Sequence, residues 1–425
     1  MSNIRSAAAG GPAAVAAPVA GSVVRAMLAS PWARGSSGNP TRILLTPTAD
    51  PATSQTVSWT LPAKMSGQVV QYRLPGQSKR SVRAKLRAVT SVRFSGTAKP
   101  RYAATMKRLA PGTVYEYRIV TPTGSTPWRR FTTARTGRAP VALIGLGDTQ
   151  VDNRGVPATT IRRAFADVPG ASLVLQAGDV VDRPYRNSQW GDLFAAMGTA
   201  ARTANWVFAI GNHEQCILIR CSSNRAEAFR SYFDWPTNGF PEQGETWYHI
   251  DYQGVRIVVL DSFGGQMARQ ASFLDRALAT NPNRWSIVVM HAPPFATRPG
   301  RSNPEVRRWW LPIIEAHEVD LVLAGHDHSY ARGHRAGAST VYAVSVSGQK
   351  YYPAVGTDWA ANRATRDVWA AQTATYQVIT ISGDTLAYRA VVTDRGSGST
   401  SPVGVGGVLD RFTIVKRASG AKVVR

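Results

Sequence analysis

The chain has 425 residues, 44% of them apolar and 9% aromatic, which suits two packed domains and excludes a mainly disordered or collagen-like polymer. Two cysteines exclude a disulfide-stapled scaffold and a thiolate zinc cluster, and no apolar run reaches the roughly 18 residues of a transmembrane helix. The net charge of +24 predicts attraction to phosphates, anionic polymers or membrane surfaces and says nothing of fold.

Residues 1–39 form an Ala/Gly/Pro/Ser-rich stretch that predicts a flexible N-terminal segment. Arg5 precedes a weakly apolar stretch broken by Pro12 and Pro18, a poor centre for a signal peptide, so the compartment stays open. From residue 40 to 137 short alternating runs are separated by turn dipeptides such as Pro75-Gly76 and Pro111-Gly112. Thr56–Thr60 and Val114–Val120 are examples, and the pattern predicts an all-β sandwich. Between Thr41 and Thr133 stand sixteen Lys/Arg against only Asp50 and Glu116. This basic domain is a candidate attachment site for an anionic polymer or surface. A solvated face is the plain alternative.

Beyond Pro140 the pattern changes. Apolar runs at Val141–Leu146, Ser172–Gln176, Trp206–Ile210, Arg256–Leu260, Trp285–Met290 and Asp320–Ala324 alternate with mixed segments that look helical, such as Thr160–Val168 and Ala226–Phe233. Continuous short runs are what strands covered on both faces require. The expectation is a layered α/β domain over residues 138–417, its sheets packed between helices and completed by strands near 375–381, 386–393 and 410–416. A basic tail, 418–425, follows. Trp309 and Trp310 read as a helix face lying on a sheet.

The chemistry is concentrated just after these runs: Gly147-Asp148, Gly178-Asp179, Gly211-Asn212-His213-Glu214, His291 and Gly325-His326-Asp327-His328. Ligands of open α/β sheets gather at the carboxyl ends of the strands. Asp, Asn and His at those ends suit metals that prefer oxygen and imidazole nitrogen. Four of the seven histidines stand there, too many for isolated structural residues. Two metals sharing one carboxylate would suit phosphoryl transfer. No Gly-x-Ser-x-Gly elbow is present for acyl transfer.

This ordered set resembles the calcineurin-like metallophosphoesterases. With Leu109–Tyr115, Ser329–Arg332 and Tyr342–Ser345 it is similar to the purple acid phosphatase branch, whose N-terminal domain is fibronectin type III-like. The resemblance implies a hydrolase of phosphate esters, acid phosphatase-like, with a dinuclear centre of Fe, Mn or Zn and an extracytoplasmic setting. It implies that Asp148 and His328 hold the first metal, Asp179 bridges both, and Asn212, His291 and His326 complete the second. His213 would bind phosphate or act as general acid, oriented by Glu214, while a metal-bound hydroxide attacks in line. Two positions depart from the pattern: Asp182 stands where the branch carries its colour-giving tyrosine, and Gln150 where other branches carry a metal-binding histidine. Each is a weak metal ligand or an outer neighbour, and no purple chromophore is expected. Cys216 and Cys221 could close a small disulfide at the rim or stay free thiols. Two alternatives remain: a phosphodiesterase acting on nucleotides or lipids, and a polyanion-binding surface protein using the basic sandwich.

Overall fold

The computed structural model describes residues 39–90, 99–215, 226–239, 246–353, 356–417, 419 and 421–425. Cys216 and Cys221 lie outside the described residues.

The sandwich forms as its alternation predicts. One layer holds Thr41–Pro47, Gln55–Thr60, Lys85–Thr90 and Lys99–Met106; the other holds Val69–Arg73, Arg80–Arg83, Val114–Thr121 and Arg129–Thr132. In Val114–Thr121 every second residue, beginning at Tyr115, is buried, so one face packs inward and the other carries Glu116 and Arg118 toward solvent. Leu45, Val57, Trp59, Tyr102, Tyr117 and Phe131 make the small core between the layers, with Trp59 stacked on Tyr102 at 6.1 Å.

The α/β part is built on two sheets. The parallel strands Val141–Leu146, Leu173–Gln176 and Asn205–Phe208 lie side by side, and Thr373–Ser382, Thr385–Arg395 and Val408–Lys416 extend them in antiparallel fashion. The second sheet centres on Val255–Val259, Trp285–Val289, Leu321–Ala324 and Val341–Val344. Its residues divide by parity. Ile257, Ile287, Val289, Leu321 and Leu323 face the first sheet, whereas Val258, Val288, Val322 and Ala324 face helices. Those helices, Met267–Ala279, Pro304–Trp309 and Leu311–Ala316, contribute Phe273, Leu274 and Ile314 to the outer core, and Trp310, between the last two, joins them. Trp310 is fully buried there, and Trp309 packs at its margin. Each fully buried Leu, Ile or Val contributes about 1.5–3 kcal/mol, so the unbroken apolar runs account for the layering. No helix among the described residues is long and apolar enough to cross a membrane.

One feature of the architecture is absent from the local pattern. Thr41–Pro47 pairs in parallel with Asn205–Phe208 through Leu45 and Asn205, so a single eleven-stranded sheet runs from the sandwich into the α/β part. Gln55 seals the junction, its amide donating to Asn205 Oδ1 at 2.7 Å. Beside it, the buried Arg101 guanidinium donates to Thr60 Oγ1 and the Tyr232 carbonyl, both at 2.6 Å, and lies 4.4 Å from the Tyr232 ring centre. Tyr232 in turn stacks on Trp190 at 4.3 Å.

Candidate metal centre

The carboxyl ends of the two sheets' parallel strands meet at one edge, and the loops leaving them carry the polar residues singled out by the sequence. The structure brings Asp148, Asp179 and His328 together, and likewise Asp179, His291 and His326, with the candidate ligand atoms of each group within 4.8 Å of one another. Asp179 belongs to both groups. Asn212 joins the second, its Oδ1 lying 3.2 Å from His291 Nε2. Gln150 joins the first: its amide nitrogen is placed 3.1 Å from Asp179 Oδ2 and 3.0 Å from His328 Nε2, while its Oε1 is buried without a partner.

The loops are tight for steric reasons. A Cβ at Gly211 would collide with the Asp179 carboxylate, and one at Gly325 with the Asp148 carboxylate, so glycine is what lets strand end and ligand approach. Asp179, His326 and His328 themselves adopt φ of 50°, 73° and 51°. A left-handed conformation in a residue with a side chain costs about 1 kcal/mol or more, a strain typical of functional sites. Main-chain bonds hold these turns: His213 N–H donates to Asp179 Oδ1 at 3.0 Å and His326 N–H to Asp148 Oδ1 at 2.7 Å.

The donor set fits cations. His291 directs Nδ1 at the Ala177 carbonyl, 2.7 Å away, and His328 directs Nδ1 at the Lys350 carbonyl, 2.8 Å away. Each neutral ring therefore carries its lone pair on Nε2, the orientation that outer partners impose on metal-binding histidines. Yet His291 Nε2 faces Asp179 Oδ2 at 3.1 Å, and His328 Nε2 faces Asp148 Oδ2 at 3.0 Å. A lone pair against a buried carboxylate is repulsive unless a proton or a metal ion lies between them. His326 Nδ1 also faces His291 Nε2 at 3.2 Å. Electrostatics agree. Burial opposes a charge on His291, but Asp179 and then Asp148 overcome it and raise its pKa to about 9. Burial, followed by His291 and Arg301, drives His326 well below the ordinary imidazole value. Burial also resists ionisation of Asp179, but His291 and His213 outweigh it and hold the group well below the usual carboxylate range.

The remaining predicted residues surround this centre. His213 points Nδ1 at the Asp182 carbonyl, 2.7 Å away, leaving Nε2 toward the Asp179 side of the site. Asp182 stands beside it with Oδ1 3.4 Å from Nδ1 and falls in neither ligand group. Glu214 is buried, and its two oxygens accept the N–H groups of Asp179, Val181 and Gly211 at 3.0, 3.0 and 2.9 Å. Burial and then Asp179 push its pKa up to about 8, against the pull of those donors. Among the described residues its hydrogen bonds go to the loops, not to the His213 ring.

Several contributors carried no signal in the sequence. The carbonyls of Ala177 and Lys350 orient histidines through backbone atoms that any residue possesses. Phe263 lies 5.1 Å from the His326 ring, in a turn pinned by Asp261, which accepts the N–H groups of Phe263 and Gly264. Tyr352 stacks on His328 at 4.3 Å, and Arg301 binds the His326 carbonyl and Asp327.

Residues 143–330 match the family described as calcineurin-like phosphoesterase, and residues 40–133 match the purple acid phosphatase N-terminal domain. The chain thus joins an all-β domain that matches the purple acid phosphatase N-terminal model to an α/β domain that matches the calcineurin-like phosphoesterase model. Purple acid phosphatase 1 of Ipomoea batatas is 24% identical over 66% of this chain and 61% of its own length. Fe(3+)-Zn(2+) purple acid phosphatase 12 of Arabidopsis thaliana is 25% identical over 66% of this chain and 62% of its own length. An uncharacterised protein of Mycobacterium tuberculosis is 28% identical over 54% of this chain. The alignment covers 50% of that relative, so the chain spans between about half and three-fifths of these relatives. In fold, the purple acid phosphatase of yellow lupin seeds superposes with a TM-score of 0.72 at 17% identity, covering 90% of this chain and 75% of that one.

Proposed function

We propose that this protein is a metal-dependent phosphoesterase of acid phosphatase-like type that hydrolyses phosphomonoesters at a dinuclear centre. The observation that carries the reading is Asp179, which among the described residues is the carboxylate common to two clusters of metal-binding side chains. The first ion would be held by Asp148, Asp179 and His328 with Gln150 beside it, the second by Asp179, Asn212, His291 and His326. Iron, manganese and zinc all suit such ligands, and the Arabidopsis relative is named for iron and zinc. When bound, such a pair supplies concentrated positive charge for phosphate oxygens and makes coordinated water acidic.

The chain's own residues do the rest. His213, its Nδ1–H directed to the Asp182 carbonyl, turns Nε2 to the substrate, where a second proton on Nε2 would bind a phosphate oxygen or pass to the leaving group. Glu214 braces the loops of Asp179 and Gly211 and acts on His213 through their shared backbone. The buried walls behind Asp148 and Asp179 keep bulk water from one side of the site.

The test compares hydrolysis of p-nitrophenyl phosphate and bis-p-nitrophenyl phosphate by protein loaded with Mn, Zn or Fe, with Asp179→Asn as the blank. Monoester turnover that disappears in the variant is expected; turnover of the diester alone would move the protein to the phosphodiesterases of nucleotides or lipids. The basic sandwich supports a second role, attachment to a polyanion, because Arg80 and Arg83 on the strand Arg80–Arg83 both stand exposed. Retention of the full chain on heparin that falls steeply with salt would support that role.

A further inference from the structure

The segment after the strand Val341–Val344 runs as a strap across the metal centre and is pinned at several points. The Lys350 carbonyl takes the Nδ1 proton of His328 at 2.8 Å, and Tyr352 N–H donates to the His328 carbonyl at 3.3 Å. The Tyr352 ring lies on the His328 ring with 21° between their planes, and the Arg298 guanidinium sits 4.4 Å from the Tyr352 ring centre. With its neighbours clamped to a histidine of the first ligand group, residue 350 has little freedom in where it delivers its side chain. That side chain reaches the other flank of the site, where Nζ stands 3.4 Å from His213 Nε2. Among the described residues the half-buried Lys350 has no carboxylate within ion-pair distance. An ammonium aimed at an imidazole nitrogen, with no carboxylate in reach, is a cation that lacks its counter-ion.

We propose that Lys350 is a substrate-binding residue that, with His213, grips a peripheral oxygen of the phosphate and selects dianionic monoesters over monoanionic diesters. The inference rests on the phosphoesterase reading above and adds the group that sets its substrate class. Lys350 Nζ, 3.4 Å from His213 Nε2, sets an ammonium beside the place where a phosphate oxygen would meet that ring. A phosphate oxygen that reaches His213 Nε2 therefore meets Lys350 Nζ as well, through a charge-assisted bond. A monoester presents a second negative charge to that ammonium. A diester instead places an esterified, neutral oxygen and its substituent there, gaining less and crowding the strap. Lys350 also separates its two tasks by atom: the carbonyl orients His328, and the side chain serves the substrate.

That separation makes the idea testable with Lys350→Met and Lys350→Arg. Both keep the carbonyl, so metal content after loading should match the unmodified protein. Inorganic phosphate is titrated into each metal-loaded protein by calorimetry, and kcat/KM is measured for p-nitrophenyl phosphate and bis-p-nitrophenyl phosphate. The expected result for Lys350→Met is phosphate binding weakened on the order of 10- to 100-fold, the size of a lost charged hydrogen bond. Monoester kcat/KM should fall by a similar factor while the diester value falls far less. Lys350→Arg should restore most of both losses. Phosphate affinity unchanged in Lys350→Met, or equal losses on the two esters, would overturn the proposal. Unmodified protein that hydrolyses neither ester would overturn the phosphoesterase reading instead, and the calorimetric arm then decides on Lys350 alone.

Discussion

Nε2 of His291 and Oδ2 of Asp179 stand 3.1 Å apart in a fully buried site, with the opposite ring nitrogen committed to the Ala177 carbonyl. Without a metal, only a proton between them makes this arrangement favourable, which is why His291 is raised to about 9 from the ordinary 6.5. A metal must displace that proton. Loading the protein at pH 7.5 should therefore release about one proton per second-site ion, and affinity should climb with pH until about 9. Calorimetric titration in buffers of different ionisation enthalpy measures the release directly; an enthalpy independent of buffer would contradict it. The stability of the metal-free protein has the matching sign. The His291 contribution is complete below pH 6.5 and is lost as pH rises through about 9. Metal should accordingly raise Tm more at pH 8.5 than at pH 6.

Glu214 supplies a second, separable prediction. It accepts three buried N–H groups from the turns that carry Asp179 and Gly211. Glu214→Ala would orphan those donors at about 1–3 kcal/mol for an unsatisfied group. Metal content and thermal stability should fall together. Glu214→Gln keeps the shape and one acceptor oxygen, and should retain the fold while binding metal more weakly. A Glu214→Ala protein with native Tm and full metal content would show that the brace is unnecessary.

The layout of the site was legible in the sequence because strand ends are short and local. Each apolar run predicted a strand that lies within a residue or two of its place, as Val141–Leu146 and Leu321–Ala324 show, and the Gly-Asp, Asn-His and His-x-His groups follow directly. What was not legible depends on distant partners. The pairing of Leu45 with Asn205 joins segments 160 residues apart and has no local signature. Arg101 is one of sixteen Lys/Arg between Thr41 and Thr133, and only the tertiary fold shows it buried against Tyr232. Lys350, in a Gly-Gln-Lys-Tyr-Tyr stretch, follows no known spacing and reaches the site through the His328 clamp.

Arg101 gives a prediction about how the sandwich is held. Its guanidinium is buried, bonded to Thr60 and Tyr232, and stacked on Tyr232, with desolvation lowering its pKa. Arg101→Ala would remove packing and leave the Tyr232 carbonyl without its donor, costing about 2–4 kcal/mol and lowering Tm by several degrees. Arg101→Met fills the space without a charge to desolvate and should lose less, as apolar replacements of buried charge do. Thermal unfolding of both variants checks the order; Arg101→Met falling below Arg101→Ala would contradict it.

Asp182 and Gln150 together predict the colour and the metal affinity of the first site. Asp182 offers its carbonyl to His213 and lies outside both ligand groups, so no phenolate is present at the position where the purple branch places one. Iron-loaded protein should be active without a tyrosinate charge-transfer band in the visible spectrum. Asp182→Tyr keeps the main-chain carbonyl that orients His213 and should introduce that band. Gln150 sets the strength of the same site. Its buried Oε1 has no partner, and rotating the amide would set that oxygen where the nitrogen now lies, 3.0 Å from His328 Nε2. A neutral amide oxygen is a poorer ligand than imidazole for zinc or iron. Gln150→His should therefore hold the first ion about 10-fold more tightly, and Gln150→Ala more weakly by a similar factor, the scale of changes around metal sites. Competition with a chelator, read by metal analysis, measures both. If Gln150→Ala retains metal as well as the unmodified protein, the amide is a bystander and Asp148, Asp179 and His328 hold the first ion alone.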